Sequence, residues 1–324
     1  MKIAFLEKLN IRHFINKCYR FDKKKFVKYS RAVRTRGNDH ILAQIALKTH
    51  IIEKGLTMPD MRPGFGQEAM LNLISLCKSL DISIPKSNPI LMQAIQTILE
   101  YDRVHDNLHY SFDQSFRSEL DSFVAENQEI NASIQPVFHG AQQYFSDNEK
   151  PFPVFAHSRH TLRNFCKADI PIELLLKAVD LAQTAPSSCN RQSTRVHIIT
   201  DKKDIKNILT LQNGNRGFGH LINKLLIITY FIPIYGSVKE RHLGCIDSGI
   251  FTMNLLYALH YHKIGACTLN WCDSPKEDKR LRTMVQLEEN ETVSLFIACG
   301  MVPELPFKVA RSQKLEAKII TTVH

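Results

Sequence analysis

The stretch CIDSGIFTMNLLYALHYHKIGACTLNW (245–271) decides the fold class, because its periodicity changes part-way along. Residues 245–265 are apolar on nearly every face and end in Gly265, which predicts a buried helix with a C-terminal glycine cap. Residues 266–271 then have the composition of a strand. A buried helix that leads directly into a strand indicates helices packed on a sheet.

Alternating strands and helices are predicted on both sides of this stretch. Strand patterns occur at TRVHIIT (194–200), KLLIITYFIP (224–233) and TVSLFIACGMV (292–302). Helix patterns occur at IPIELLLKAVDLAQTAP (170–186), which starts near Pro171, and after the capping box Ser274-Pro275-Lys276-Glu277, as far as about Leu287. The sequence therefore predicts an α+β fold for this half of the chain.

The preceding half is predicted to be largely helical. Helical periodicity covers about 39–54, 67–80, 88–105 and 114–126, and Gly55 is expected to stop the first of these helices. The stretch 127–157 is irregular and contains three prolines, so we place a domain boundary there. The predicted organisation is an arm at 1–36, a helical extension at 37–150 and a C-terminal domain at 151–324.

The positive charge of the chain is concentrated in the arm. Residues 1–36 contain twelve lysines and arginines against two acids, Glu7 and Asp22, whereas the remaining chain has 30 basic and 30 acidic residues. The net charge of +10 therefore does not indicate nucleic-acid binding by the whole protein. The arm is predicted to be an amphipathic helix followed by a basic stretch. It either packs its apolar side on the body or lies on an anionic membrane surface, and nucleic acid is its least favoured partner.

Composition narrows the class of protein further. Hydrophobic residues make up 44% of the chain and charged residues 23%, which is ordinary for a globular protein. No apolar run reaches the roughly 18 residues of a spanning helix, and no apolar core of a signal peptide is present, so we expect a cytoplasmic protein. The eight cysteines lack C-x-x-C and zinc-type spacing, so we expect free thiols, with neither disulfides nor a metal site.

Three separated polar segments lie at predicted element boundaries. SRHTLRNF (158–165) places two arginines around a hydroxyl, which suits the grip of a phosphate. APSSCNRQ (185–192) is a turn whose amides and hydroxyls could read a heterocycle, and Arg311 and Ser312 after the last strand offer a second phosphate grip. Each segment alone is more typical of a solvated surface or an ordinary turn than of a ligand site.

In this order the three segments resemble the nitroreductase family over about residues 155–320. Arg159, Thr161, Arg163 and Phe165 match its R-x-S-x-R-x-F element, with threonine in place of serine. Residues 185–192 match its A-P-S-x-x-N-x-Q-P-W element, except that Ser193-Thr194 replaces Pro-Trp. The helix at 245–265 resembles the family's interface helix, KIGAC (263–267) resembles its G-L-G-x-C element, and GMVP (300–303) replaces its G-Y-P turn.

The resemblance implies a nitroreductase-like central mixed β-sheet flanked by helices, preceded here by an α-helical region, with FMN as cofactor in an intertwined homodimer. The implied cofactor-binding residues are Arg159, His160, Thr161 and Arg311 at the phosphate and ribityl chain, Arg163 at the pyrimidine end, Ser187, Ser188, Asn190 and Gln192 from the partner subunit, Asn215 at the flavin edge, and the backbone of Leu269 and Asn270 near flavin N5.

The resemblance also implies an FMN-dependent oxidoreductase with a ping-pong cycle. A donor such as NAD(P)H delivers hydride to flavin N5, and a small or sugar-linked acceptor then removes it, so no catalytic acid, base or nucleophile is assigned. Similar extended chains suggest a role in bacterial surface-polysaccharide metabolism, with the arm at the inner face of the membrane. Two alternatives stay open: an inactive flavin-fold scaffold at the membrane surface, and a peripheral membrane or nucleic-acid-binding protein.

The helical extension has two interpretations of its own. His50, Glu53, Lys54, Arg62 and Phe65 either shape a substrate pocket over the flavin or serve only helix packing and loop structure.

Overall fold

A computed structural model describes residues 2–30, 32, 37–271 and 274–324, with side chains from residue 10 onward in the first helix. Arg31, Arg34 and Arg36 of the basic stretch and Cys272 lie outside the described residues. The helices are α1 (Lys2–Tyr29), α2 (Asn38–Leu56), α3 (Gln67–Lys78), α4 (Pro89–Asn107), α5 (Gln114–Ala125), α6 (Ala141–Tyr144), α7 (Phe152–Ser158), α8 (Ile172–Ala182), α9 (Lys202–Leu209), α10 (Leu243–Tyr261), α11 (Pro275–Val285) and α12 (Ala317–Ile320). The strands are β1 (Val137–Phe138), β2 (Thr194–Ile199), β3 (Lys224–Phe231), β4 (Gly265–Asn270), β5 (Glu291–Gly300) and β6 (Phe307–Lys308).

The chain divides into two compact units, and each is discontinuous in sequence. The first comprises Met1–Lys24 and Phe138–Phe307, and the second comprises Lys25–Val137 and Lys308–His324. The change at 137/138 falls inside the irregular stretch 127–157, whereas the change at 307/308 was not indicated by the sequence. The division into arm, extension and FMN domain stays a prediction.

A four-stranded sheet in the order β2-β3-β5-β4 forms the centre of the first unit. The register pairs Val196 with Ile228 and Leu226 with Ile297. The α+β class with a helix-flanked central sheet is confirmed. A mixed sheet was expected, and the three pairings described in this unit are antiparallel.

The core of the first unit lies between this sheet and the pair α8 and α10. Leu226 and Ile297 of the sheet pack in one cluster with Ala178 of α8 and Leu255 of α10. The Asn254 side chain ties the two helices together, because its Nδ2 donates to the Ala182 carbonyl at 3.0 Å. The alternation of sheet and helix along the chain thus places the loop that follows α8 beside α10.

The predicted burial of α10 holds for one side of the helix only. Leu255, Ala258 and Leu259 are buried, but an apolar stripe of Ile246, Ile250 and Met253 is exposed in the single chain. These three positions follow i, i+4, i+7 spacing and therefore lie on one face. The first unit thus presents a continuous apolar strip to its surroundings.

The glycine cap predicted for this helix is wrong. Gly265 is the first residue of β4, and the residue in left-handed conformation is Lys263, with φ of 59°. The Lys263 amide donates to the His260 carbonyl at 3.0 Å and the Ile264 amide donates to Leu259 at 2.8 Å, which is the Schellman pattern. Lysine therefore occupies the position that glycine usually takes in this motif.

The second unit has its own core between α2, α3, α4 and α5. Ile52, Leu73, Ile98 and Leu120 contribute one buried side chain from each helix. Asn88 caps α4 by accepting from the Ile90 amide at 3.0 Å. The four helices predicted between residues 39 and 126 are therefore confirmed, with small shifts at their ends.

Gly55 does not stop α2, which continues to Leu56. A Cβ at this position would lie 1.9 Å from Cε2 of Phe65, so glycine is needed for the close approach of the ring. Glu53 is buried and accepts from the Ser312 amide at 3.2 Å. Phe65 and Glu53 therefore contribute to packing and loop structure, and the choice between the two interpretations of the extension stays a prediction.

The arm forms the helix α1, as predicted, and the helix continues through the basic stretch to Tyr29. Asp22 joins it to the first unit: its carboxylate accepts from Nε of Arg241 at 2.7 Å and from NH2 at 2.9 Å. Ile15 and Cys18 lie on the same half-buried side, whereas Phe21 is exposed. Across the described ranges, no helix combines the length and apolar character needed to cross a bilayer.

Candidate functional site

The first predicted segment follows α7 as an extended chain against the sheet. The Leu162 amide donates to the Ala266 carbonyl at 3.0 Å, and the Cys166 amide donates to Met301 at 2.9 Å. Because Ala266 is in β4 and Met301 follows β5, the segment is fixed at the edge where β4 begins. Leu162 and Phe165 point into the core, while Arg159, Thr161 and Arg163 are half-buried.

Two glycines in the sheet make room for this segment. Gly265 and Gly300 are cross-strand partners. A Cβ on Gly265 would lie 2.6 Å from Cδ2 of Leu162, and a Cβ on Gly300 would lie 2.3 Å from Cγ of Phe165. Both positions need glycine because the side chains of the segment occupy the space of the missing Cβ atoms. The pair therefore determines how closely the two arginines approach the sheet.

The arginines bring unbalanced positive charge to this edge. Within the described part of the chain, neither Arg159 nor Arg163 takes part in a salt bridge. Burial, together with the charge of Arg159, lowers the pKa of His160 and lowers the pKa of His260 to about 3. Both imidazoles are therefore neutral at pH 7, and the guanidinium groups, not the imidazoles, would attract an anion.

The second predicted segment is a strained turn between α8 and β2. Cys189, Asn190 and Gln192 have φ of 51°, 53° and 51°, which non-glycine residues rarely adopt. The Gln192 amide donates to Ser187 Oγ at 3.0 Å, and the Asn190 amide donates to the Ser187 carbonyl at 2.9 Å. Such strain persists only where the surrounding bonds over-determine it, and strained turns of this kind concentrate at functional sites.

Asp247 of α10 anchors this turn. Its side chain is 3% exposed, and Oδ1 accepts from the Ser188 amide at 3.1 Å and from Ser188 Oγ at 2.9 Å. Tyr235 OH lies 3.3 Å from Oδ2 and also donates to Ser193 Oγ at 2.7 Å. A carboxylate in a largely apolar helix requires a polar partner, so Asp247 was a signal for this role in the sequence.

Arg191 holds the turn from its other side. Its NH2 donates to Glu240 Oε1 at 2.8 Å, its Nε donates to the Ser188 carbonyl at 3.2 Å, and its guanidinium lies 5.0 Å from the centre of the Tyr235 ring. Glu240 is followed by Arg241, which binds Asp22 of α1. Glu240 thus supports the turn, and Arg241, the next residue in the chain, supports the arm.

Three more predicted residues meet at the far end of β4. Gln212 is 4% exposed, and its Nε2 donates to the Asn270 carbonyl at 3.0 Å while its Oε1 accepts from the Gly214 amide at 2.6 Å. Asn215 donates through Nδ2 to the Leu209 carbonyl at 2.9 Å and to the Gln212 carbonyl. Gln212, which was not predicted from the sequence, therefore joins the Asn215 turn to Asn270 at the end of β4.

Arg311 belongs to the second unit. Its amide donates to Gln135 Oε1 at 2.7 Å, and its NH1 donates to Ser133 Oγ at 3.1 Å. These contacts fix the C-terminal tail, and the phosphate-binding role of Arg311 stays a prediction.

The predicted residues of the first unit thus form three groups. Residues 159–163 lie beside the start of β4, and Asn215 lies near its far end. The turn at 187–192 is bonded to α10 through Asp247. The five residue steps of β4 span about 17 Å, so the first two groups border one strand. The convergence of all groups around one cofactor stays a prediction.

The sequence model of the nitroreductase family matches residues 156–215. Over this segment the chain is similar to the nitroreductase family. The segment contains the extended 159–165 segment, the strained turn at 187–192 and Asn215, so the family match covers most of the predicted cofactor residues. The nitroreductase segment is 60 residues long, and the second unit lies outside it.

Several solved structures are similar to the chain. A nitroreductase family protein from Streptococcus pneumoniae TIGR4 is 15% identical, with coverage of 54% of this chain and 100% of that chain and a TM-score of 0.47. An FMN-dependent nitroreductase from Clostridium difficile R20291 is 19% identical, with coverage of 52% and 96% and a TM-score of 0.43. A nitroreductase family protein from Clostridium novyi NT is 16% identical, with coverage of 47% and 85% and a TM-score of 0.42. No curated protein matches the chain.

Proposed function

We propose that the protein is an FMN-dependent oxidoreductase of the nitroreductase type. The observation that carries this proposal is the nitroreductase segment, in which a strained polar turn and two arginines, without a carboxylate partner among the described residues, occur on one α+β core. The similar protein from Clostridium difficile is described as FMN-dependent, which agrees with the proposal.

The residues present fit a cofactor that carries a phosphate. Arg159 and Arg163 are half-buried with no acidic partner among the described residues, and the pKa of the neighbouring His160 is lowered, chiefly by burial. An anionic group would balance this charge through charge-assisted hydrogen bonds. Arg159, His160 and Thr161 would hold the FMN phosphate and ribityl chain, and bound FMN would supply two-electron redox chemistry to a donor such as NAD(P)H and an acceptor.

The remaining residues contribute position and charge. Arg163 would place a positive charge beside the pyrimidine end, where it stabilises added electron density. Ser187, Ser188, Asn190 and Gln192 present a rigid polar edge because Asp247 and Arg191 hold their turn. Gln212 would hold the backbone of Leu269 and Asn270 at the reacting edge. No side chain is assigned to proton transfer.

The proposed active form is a homodimer. Ile246, Ile250 and Met253 form an exposed apolar stripe on α10, and such a stripe is stabilised when a second copy covers it. In this arrangement residues 187–192 of one subunit contribute to the cofactor site of its partner.

An absorbance spectrum of the purified protein tests the proposal. We expect a yellow protein with the spectrum of oxidised flavin, which NADPH or NADH bleaches and an added acceptor restores. A protein that is colourless and takes up no FMN would refute the assignment. A protein that binds FMN but is not bleached by either nucleotide, although dithionite bleaches it, would instead support the inactive scaffold.

The acceptor and the location are finer parts of the proposal. We assign a small acceptor, and sugar-linked compounds are the first to test. We also assign peripheral contact of α1 with anionic membrane. Phe21, Phe26 and Tyr29 are exposed on α1 beside Lys23, Lys24, Lys25 and Lys28. The fraction of protein that sediments with phosphatidylglycerol vesicles should be smaller for K23Q/K24Q/K25Q than for the wild type. An unchanged fraction would refute the membrane role.

A further inference from the structure

A cavity in the first unit lies between α9 and the glycine-rich turn at 214–219. Its volume is about 610 Å³, within the range of roughly 300–1,000 Å³ that small-molecule sites occupy. Ile205, Leu209 and Ile222 give it an apolar wall, and Gly217 and Gly219 contribute backbone to the opposite wall. The proposed flavin site uses only Asn215 of this lining.

The charged residues that line the cavity are all basic. Lys202 and Lys206 lie one helical turn apart on α9, and Arg216 and His220 come from the turn and the residues after it. No acidic residue lines the cavity in the described part of the chain. Asp201, which caps α9, accepts from the Lys203 and Asp204 amides at 2.8 and 3.0 Å, and Asp204 is not among the lining residues.

Two of these cations lack a counter-charge. Among the described residues, Lys206 and Arg216 form no salt bridge, and His220 adds an imidazole to the lining. Lys202 donates to the Ile222 carbonyl at 2.8 Å, and burial and the charge of Lys224 lower its pKa. Residues 37–324 contain equal numbers of basic and acidic residues, so an all-basic lining is a local departure from a neutral body.

We propose that this cavity binds the phosphate-bearing part of a small organic molecule that is the donor or the acceptor of the reaction. Inorganic phosphate alone would fill a small part of 610 Å³, and the apolar wall provides for a carbon skeleton. Asn215 lines the cavity, and Gln212 joins the same turn to Asn270 at the end of β4. The inference rests on the proposed function, because it assigns the cavity to a substrate of that site.

Binding of two nucleotide probes to the flavin-loaded protein tests this proposal. Calorimetry measures the affinity for each probe. 2′,5′-ADP carries the 2′-phosphate of NADPH, and UDP carries the diphosphate of a sugar nucleotide. In K206Q/R216Q, which removes two exposed charges, we expect the affinity for at least one probe to fall about tenfold or more. The wild-type affinity should also fall with added salt. K203Q/K279Q removes two exposed lysines that do not line the cavity and should keep wild-type affinity.

The pattern of losses identifies the ligand. Loss for 2′,5′-ADP alone assigns the cavity to the donor, and loss for UDP alone assigns it to a nucleotide-bearing acceptor. The proposal is overturned if neither probe binds the wild-type protein, or if both double variants bind the probes equally. The same titrations on protein without flavin keep the two proposals separate, because probe binding by a protein that takes up no FMN would refute the oxidoreductase and leave the anion site standing.

Discussion

Arg159 is the residue whose charge most directly tests the cofactor assignment. It is half-buried, has no salt bridge among the described residues, and contributes to the lowered pKa of His160. R159Q should weaken FMN binding by about ten- to a hundredfold, because a charge-assisted hydrogen bond contributes roughly 1.5–3 kcal/mol. Fluorescence titration of FMN measures the change, and K177Q, which removes an exposed positive charge on α8, is the control. Equal FMN affinity in R159Q and wild type would exclude Arg159 from the phosphate site.

His260 predicts how stability depends on pH. Burial and the charge of Arg159 lower its pKa from 6.5 to about 3, whereas the unfolded chain binds the proton near pH 6.5. The free energy of unfolding contributed by this group is therefore complete above pH 6.5 and falls as the pH drops from 6.5 towards 3, by up to roughly 4 kcal/mol.

Urea unfolding between pH 4 and 7 measures this dependence, because pH 7 lies above the window set by the two pKa values and pH 4 lies within it. H260Q should show a flatter profile than the wild type, because glutamine can keep the bond to Ser158 Oγ, which is 3.0 Å from Nε2, but does not titrate. H139Q, which removes an exposed imidazole, is the control. If the free energy of unfolding of H260Q depends on pH as steeply as that of the wild type, His260 is not the source of the dependence.

Residue types and spacing predicted the polar segments but not their supports. The pattern Arg159, Thr161, Arg163 is readable because it lies in one short stretch. Asp247 and Gln212 act on residues 59 and 58 positions away, so their roles depend on which elements become neighbours in the folded chain. Hydrogen-bond partners of this kind follow from tertiary packing, which local spacing does not determine.

Among the elements, β5 provides a direct test of how the 159–165 segment is seated. G300A would place a Cβ 2.3 Å from Cγ and 2.5 Å from Cβ of Phe165, atoms near the backbone that have little freedom to move. We expect a loss of roughly 3 kcal/mol in the free energy of unfolding, from overpacking. Thermal unfolding measures it, and G236A is the control, because a Cβ there meets no atom within 4 Å. Equal losses in both variants would show that the close approach is not the cause.

The attachment of α1 can be tested by exchanging charges. D22R and R241D each replace the bidentate pair with two like charges, so we expect faster amide hydrogen exchange in residues 10–24. The double variant D22R/R241D restores opposite charges and should slow the exchange again. Because Arg241 follows Glu240, which binds Arg191, exchange in residues 187–192 should change in the same direction. Failure of the double variant to recover would show that the pair does not hold the helix.

Element positions were predicted well because periodicity and caps are local. Ser274, Asn88 and Asp113 mark their helix starts through hydrogen bonds to nearby amides. The two glycine predictions were wrong for a shared reason. Gly55 and Gly265 permit close approach of Phe65 and Leu162, partners that lie elsewhere in sequence, and a glycine looks the same in either role.

For the whole molecule, the α10 stripe predicts the assembly state. I250D should convert a dimer to a monomer, because burying an unpaired carboxylate weakens association on the order of a hundredfold or more. Light scattering coupled to size exclusion measures the mass, and L176D, at an exposed apolar position on α8, is the control. If FMN affinity falls with I250D, residues of the partner contribute to the site. A dimer that survives I250D would place the interface elsewhere.

The discontinuity of the second unit has a practical consequence for anyone who shortens this protein. A truncation that begins at residue 151 removes Ser133 and Gln135, which hold Arg311, and Glu53, which holds Ser312. The tail from Lys308 onward would then lack the part of the second unit with which it makes contact. A shortened protein without the helices of the second unit must therefore also lack the tail from Lys308 onward. This tail completes a unit whose first residues lie almost 300 positions earlier in the sequence.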